Sequence, residues 1–404
     1  MKFLKSFILS MLIGVVFSSY AHSADEFKVD GIVIGNDLKK ENSVSVGQAN
    51  FKASLTASEK YDSNIYLTST GTHSDFINVI TPKLFMDLPF GIDERHNLQF
   101  LYSADLGSFS DHTSQNYQNQ DLTGLLNFKL PFGYFALKNL YRNTQDRSAT
   151  EFTTPVKRME NKSDALFGVE FNKLANEFGY SYFTEHFNDR SYDNLDYHED
   201  IYTNTTYYQI FPKTKALLEY NHGEIGYLRD IARNGSYDQV RVGLKGALTG
   251  KTIGIIKAGY QNREYNTEGK NGYDGLVAEL GMISKLSERT ELKLRFIDTA
   301  LESTYGTNAY YNNNSFGIEL NQKLMGNFSI VGAFSVDRNL YPEEDAVLYR
   351  KRRDTIWTQG LGLEYQAKDW VKTGINYEYK DDKSNIDTKE YDRSQIMASV
   401  TFMM

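Results

Sequence analysis

The chain has 404 residues, a formal charge of −8, no cysteine, six prolines, 29 tyrosines and 25 phenylalanines. Zero cysteines exclude disulfides and thiolate metal sites, and an acidic chain is a poor match for nucleic acid, so the fold closes by hydrogen bonding and no nucleic acid is expected among its partners. A mean hydropathy of −0.50 beside so many aromatics is the composition of a transmembrane barrel, where only alternate residues face lipid and aromatics girdle both interfaces.

At the start of the chain, Lys2 and Lys5 precede an apolar run from Phe7 to Phe17 and then the small residues Ser19, Ala21, Ser23 and Ala24. This is the three-part layout of a secretory signal peptide. Cleavage after Ala21 or Ser23 leaves a small residue at −3, whereas cleavage after Ala24 places His22 there and fits less well. Residues 1–23 are therefore expected to be removed, and the absence of cysteine argues against a lipid anchor. No later run reaches the ~18 apolar residues that a membrane-spanning helix requires.

Residues 24–47 hold Lys39-Lys40-Glu41-Asn42 and few aromatics. They fit no membrane strand and read as a periplasmic extension or a lumen plug, with a disordered leader as the alternative. From residue 48 to 404 the pattern is that of an outer-membrane β-barrel. A period of about 40 residues ends repeatedly in a short turn: Leu88-Pro89-Phe90-Gly91, Leu130-Pro131-Phe132-Gly133, Leu174-Ala175-Asn176, Pro212-Lys213, Gly250-Lys251, Ser287-Glu288-Arg289, Met325-Gly326-Asn327 and Ala367-Lys368-Asp369.

Longer polar stretches lie between them, at Ser108 to Asn116, Asp146 to Lys157, Asn188 to Asp196, Arg263 to Asn271, Asn339 to Val347 and Asp381 to Lys389. Short periplasmic turns opposite long extracellular loops are the asymmetry of these barrels. Eight turns join sixteen strands and one more at each end makes eighteen, with sixteen as the fallback. The fold class is thus all-β, a transmembrane antiparallel up-and-down β-barrel of about 18 strands. The scarcity of proline agrees, since each one removes a ladder donor.

Alternation supplies the facing. Leu122, Gly124, Leu126, Phe128 and Leu130 share one parity and Asp121, Thr123, Asn127 and Lys129 the other. Phe167, Val169 and Phe171 alternate with Gly168, Glu170 and Asn172; Val240, Val242, Leu244 and Leu248 with Arg241, Gly243 and Lys245; Val371, Thr373, Ile375, Tyr377 and Tyr379 with Lys372, Asn376, Glu378 and Lys380. A soluble sandwich alternates too. Candidate strands of about 10 to 14 residues are long for one and suit a tilted membrane strand. The last strand sets Ile396, Ala398, Val400, Phe402 and Met404 on one face, the terminal strand that barrel assembly machinery reads, with Met404 where a terminal Phe is usual.

No His-Glu-x-x-His, Gly-x-Ser-x-Gly, phosphate loop or dinucleotide fingerprint occurs, so no catalytic, cofactor or metal residues are assigned. His112, His186 and His198 fall near loops with Asp and Ser neighbours, a proximity that composition alone produces. The stronger candidates are charged residues on lumen parity: Lys138, Arg142, Arg241, Lys245, Lys257, Arg263, Arg295, Lys372 and Arg393, with Glu170, Glu279, Glu319, Glu364 and Glu378. Rings of such charges set selectivity in pores, and mixed signs serve equally to pair off a closed polar lumen. The run Arg350-Lys351-Arg352-Arg353 follows Glu343-Glu344-Asp345. It either pairs with that acidic run or holds an anionic glycan or lipopolysaccharide phosphate. Tyr61, Tyr66, Tyr182, Tyr202, Tyr207, Tyr208, Tyr310, Tyr311, Tyr377 and Tyr379 read as girdle residues.

The opening hairpin, Tyr61-Asp62-Ser63-Asn64-Ile65, then Ser74-Asp75-Phe76-Ile77 and Pro82, resembles the start of the putative β-barrel porin 2 family. The resemblance implies an outer-membrane barrel over essentially the whole mature chain. It also implies a conduit for a secreted exopolysaccharide or capsular polysaccharide, working with a periplasmic polysaccharide export protein. The rival expectation is a general or solute-selective diffusion porin, which calls for an inward-folded constriction loop. Expected partners are outer-membrane lipid and lipopolysaccharide, the assembly machinery and the polysaccharide itself.

Overall fold

The computed structural model describes residues 43–147, 151–152, 155–305, 308–345 and 348–404, so the expected signal peptide lies outside the described residues. The strands are β1 (Val44–Val46), β2 (Ala49–Asp62), β3 (Asp75–Phe90), β4 (His96–Phe109), β5 (Tyr117–Leu130), β6 (Gly133–Thr144), β7 (Arg158–Phe171), β8 (Leu174–Phe187), β9 (Tyr197–Phe211) and β10 (Thr214–Tyr227). They continue as β11 (Gly235–Ala247), β12 (Thr252–Tyr265), β13 (Tyr273–Lys285), β14 (Thr290–Glu302), β15 (Tyr310–Lys323), β16 (Phe328–Glu344), β17 (Lys351–Lys368), β18 (Val371–Ser384) and β19 (Tyr391–Met403).

Each strand from β2 onward pairs antiparallel with the next, and β19 returns to β2 over Gln395↔Asp62 to Met403↔Ser54. The result is a closed barrel of 18 strands, β2 to β19. Closure gives every barrel strand a partner on both sides, the condition for β-structure in hydrocarbon. At the seam Met404 N–H donates to Ala53 O at 2.9 Å and Ala53 N–H to Met404 O at 3.2 Å, so the terminal residue itself completes the ladder. β1 pairs only with the start of β2, Val44↔Phe51 to Val46↔Ala49, around Gly47 at φ 62°. That short hairpin is the described part of the expected extension; residues 24–42 lie outside the described residues.

All eight expected turns fall at or beside strand junctions on one rim, which also holds both barrel termini; Leu88 to Phe90 close β3, Ala367 and Lys368 close β17, and Leu174 to Asn176 open β8. The clearest shift is at Leu174, which opens β8, while the reversal is made by Asn172, at φ 53°, and Lys173. On the other rim, longer connections also include residues 63–74, 228–234 and 303–309. The barrel strands β2 to β19 run from 12 residues in β6 to 18 in β17, longer than the ~9–11 tilted residues that cross the hydrocarbon. Pro82 sits inside β3. Its pairing with Leu55 on β2 is kept, and the ladder to β4 lapses between Ile80↔Leu106 and Lys83↔Ser103, where a donor is missing.

The outer face is apolar and aromatic. Phe132, Phe171, Phe211, Trp370 and Phe402 are exposed near the short-turn rim, and Tyr180, Tyr202, Tyr220, Tyr260 and Trp357 are exposed farther up. The upper tyrosines are anchored: Tyr180 donates to Asp200 at 2.6 Å, Tyr220 to Asp238 at 2.6 Å, and Tyr260 to Asp274. Amides on this face find polar partners, as burial in lipid demands: Asn139 donates to the Asn161 side-chain carbonyl at 2.9 Å, Asn204 to the Asn176 side-chain carbonyl at 3.1 Å, and Asn176 to the Thr206 hydroxyl at 2.8 Å.

Candidate functional site

The register that turns the apolar set outward turns the charged set inward. Glu219 on β10 faces Arg241 on β11, and Lys257 on β12 faces Glu279 on β13. The four side chains converge: Arg241 contacts Glu219 and, at 3.2 Å, Glu279, while Lys257 lies 3.1 Å from Glu219 and 3.2 Å from Glu279. Around the wall, Arg142 spans Asp121 at 3.0 Å and Glu160 at 3.5 Å. Lys293 meets Glu319 at 2.9 Å, Lys372 meets Glu364 at 2.9 Å, and Arg393 meets Glu378 at 3.2 Å.

The remaining candidates share this parity. Lys138 stands opposite Asp164, Lys245 lies over the Tyr207 ring at 5.5 Å, and Glu170 approaches Lys215 at 3.9 Å. Arg263 is bound to Glu302 and stacks on Tyr237 at 4.8 Å, and Arg295 lines the lumen together with Arg241, Lys257 and Arg263. What forms is a belt of alternating, paired charges and not a ring of one sign. Removing one member of a buried pair leaves the other uncompensated, so these pairs stiffen the wall as well as wetting the lumen.

The upper lumen is not a plain cylinder. β13 and β14 pair only from Lys285↔Glu291 to Ala278↔Asp298, although β14 stays paired with β15 up to Glu302↔Tyr310. Above Asp298 the β14–β15 hairpin therefore leaves the wall and leans inward. By register Glu302 has outer parity, yet it binds inward-facing Arg263 and accepts the Tyr227 hydroxyl at 2.8 Å. Ala300, of the same outer parity, is buried, as is inward-facing Val277 on β13.

The hairpin tip meets a loop from the far side of the barrel. Glu151, between β6 and β7, accepts the Ser303 hydroxyl at 2.6 Å, the Thr304 hydroxyl at 2.8 Å and the Thr304 N–H at 2.6 Å. Arg233, between β10 and β11, donates to Ser303 O and, at 3.3 Å, to Ala309 O. Tyr305 donates to Asp345 at 2.6 Å and lies under the Arg352 guanidinium at 4.4 Å. Burial and that hydrogen bond push the Tyr305 phenol up to about 12. Lys389 lies 5.3 Å from the same ring, and burial, then Arg352, hold its ammonium below the ordinary lysine value. A cavity of 660 Å3 lies between the hairpin and the opposite wall, bordered by Arg142, Tyr197, Glu219, Arg241, Lys257 and Arg263.

Three sequence readings need correction. Tyr207, Tyr310 and Tyr311 are buried inside and are not girdle residues; Tyr310 donates to Gly272 O at 2.8 Å in the inward hairpin. Tyr66 packs edge-on to His73 and His112 in the loops. Arg352 does not pair within Glu343-Glu344-Asp345 but with Asp354, at 2.7 Å, stacked on Tyr305 and Tyr341. The loop histidines hold turns: His112 lies 2.9 Å from Asp75, which also accepts the Ser110, Asp111 and His112 N–H groups, and His186 contacts Asp196.

Parity alone assigns Glu302 to lipid, so the inward hairpin goes unseen in it. A signal was present: Asp298, Glu302, Asn312 and Asn314 put four polar groups on a face that is otherwise apolar. Glu151 and Arg233 lie in loops, where no periodicity exists to read.

Residues 43–404 match the family model described as Putative beta-barrel porin 2. No curated protein matches the chain. Among solved structures it is similar to the outer membrane protein OpdK from Pseudomonas aeruginosa, at 10% identity over 88% of this chain and 99% of that one, with a TM-score of 0.49. OccAB3 from Acinetobacter baumannii gives 10% identity over 89% and 100% with a TM-score of 0.48. The siderophore receptor PirA from Pseudomonas aeruginosa gives 10% over 88% and 80% with a TM-score of 0.43.

Proposed function

Because the chain belongs to the putative beta-barrel porin 2 family, we propose that this outer-membrane, porin-like barrel is a diffusion channel for small hydrophilic solutes. The inward β14–β15 hairpin carries the reading. A barrel of 18 strands is wide enough for an aqueous lumen, and the hairpin fastened to Glu151 reaches across its mouth. Paired charges of both signs along the wall favour polar cargo without a strong preference of sign. Export through a removed peptide, residues 1–23, brings the chain to its membrane.

A polysaccharide conduit draws less support from this geometry, because the Glu151 contacts reach across the path of a polymer. Swelling of proteoliposomes in sugars of graded size tests the reading. A rate that falls steeply from mono- to trisaccharide is expected. Absence of swelling with every sugar, together with loss of surface polysaccharide in a deletion strain, would put the conduit first.

A further inference from the structure

We propose that the β14–β15 hairpin is a gate with two seats: the inward one described above and an outward one in which β14 completes its ladder with β13. The observation behind it is a ladder that stops while both strands continue. β13 is paired with β12 up to Arg263↔Tyr273, and β14 with β15 up to Glu302↔Tyr310, yet the two are joined to each other only as far as Ala278↔Asp298.

The β13 edge so exposed behaves as an unfilled position. Leu276 is 73% exposed on the outer face, and its carbonyl accepts the Tyr273 hydroxyl at 2.5 Å, a side chain standing in for a strand. Extending the existing register brings Leu276 opposite Ala300 and Asp274 opposite Glu302. The outward seat thus gains ladder hydrogen bonds and covers Leu276. It also separates Glu302 from Arg263, breaks the Glu151 contacts, and sets Glu302 against Asp274, like charges directly opposed. The gains and losses are of the same kind on each side, which is the requirement for a two-state element.

The gate deepens the channel reading and rests on it for its effect on current, whereas the movement itself is read without current. The full-length chain has no cysteine, so Leu276→Cys with Ala300→Cys gives one pair. Opposed residues of a completed antiparallel ladder lie ~4.5–5.5 Å apart between Cα atoms, within disulfide range. In folded protein reconstituted in planar bilayers, oxidation is expected to form the bridge, seen as a mobility change of the unreduced chain, and to raise conductance at least twofold, reversed by reductant. Glu302→Gln in the same background is expected to speed bridging severalfold, since it weakens the hold of Arg263 and removes the repulsion from Asp274.

Folded barrel that never bridges, with or without Glu302→Gln, overturns the gate and leaves a channel with a fixed constriction. Bridging with a conductance that is steady and nonzero in both redox states overturns gating. Bridging with no current in either state upholds the two seats and rejects the channel reading instead.

Discussion

Arg352 is fully buried, although it lies in the run Arg350-Lys351-Arg352-Arg353. Its guanidinium joins Asp354 from β17 to the rings of Tyr305 and Tyr341, so one side chain links the wall to the inward hairpin. Arg352→Ala strands the Asp354 carboxylate and is expected to cost ~3–5 kcal/mol, measured as an earlier unfolding midpoint of the detergent-solubilised barrel. Glu151 makes three hydrogen bonds across the mouth. Bonds to a charged acceptor are worth ~1.5–3 kcal/mol each, and ~1.4 kcal/mol is tenfold in an equilibrium. Glu151→Ala is therefore expected to raise the open fraction of single-channel recordings roughly tenfold or more while leaving barrel unfolding near wild type. Inward placement of Arg241, Lys257 and Glu279 was legible because strand parity is a two-residue rule. Their pairing was not, since it depends on which strands are neighbours and in what register.

At the scale of elements, hairpins of about 40 residues were readable because four of the eight turns announce themselves chemically, by Pro-Phe-Gly, Pro-Lys or Gly-Lys between alternating runs, and fix the period for the rest. The inward lean of β14–β15 breaks the parity rule by moving the strand and not its side chains, and its one sign is the set of polar residues Asp298, Glu302, Asn312 and Asn314 on the outer parity. Aromatic rings lying over glycines add a further constraint. Tyr237 covers Gly223 directly opposite it, and a Cβ at residue 223 would overlap the ring. The ring is held there by its bond to Glu199, at 3.0 Å, and by Arg263 stacking on it at 4.8 Å. Gly223→Val is expected to displace the ring and destabilise the barrel by ~1–3 kcal/mol, seen as a lower temperature for loss of the compact form on unheated gels. An unchanged temperature would mean that the ring position carries no stability.

Across the whole molecule, strand count, closure and facing followed from the sequence because a closed sheet in lipid admits few alternatives. Eight turns on one rim, with both barrel termini beside them, leave 18 strands as the only count that closes. The state of the mouth is a different kind of property. It arises from contacts between loops eight strands apart, such as Glu151 with Thr304, and local patterning carries no trace of those. Loop length carries no sign of it either, because the inward element is a strand end and not a long loop.

The most direct test of the channel is ionic current through purified, full-length, folded protein in planar lipid bilayers. Discrete, reproducible conductance steps are predicted, larger or longer-lived in Glu151→Ala and Glu302→Gln. A folded barrel that inserts yet gives no steps at any voltage, in the wild type and in both variants, would contradict the account.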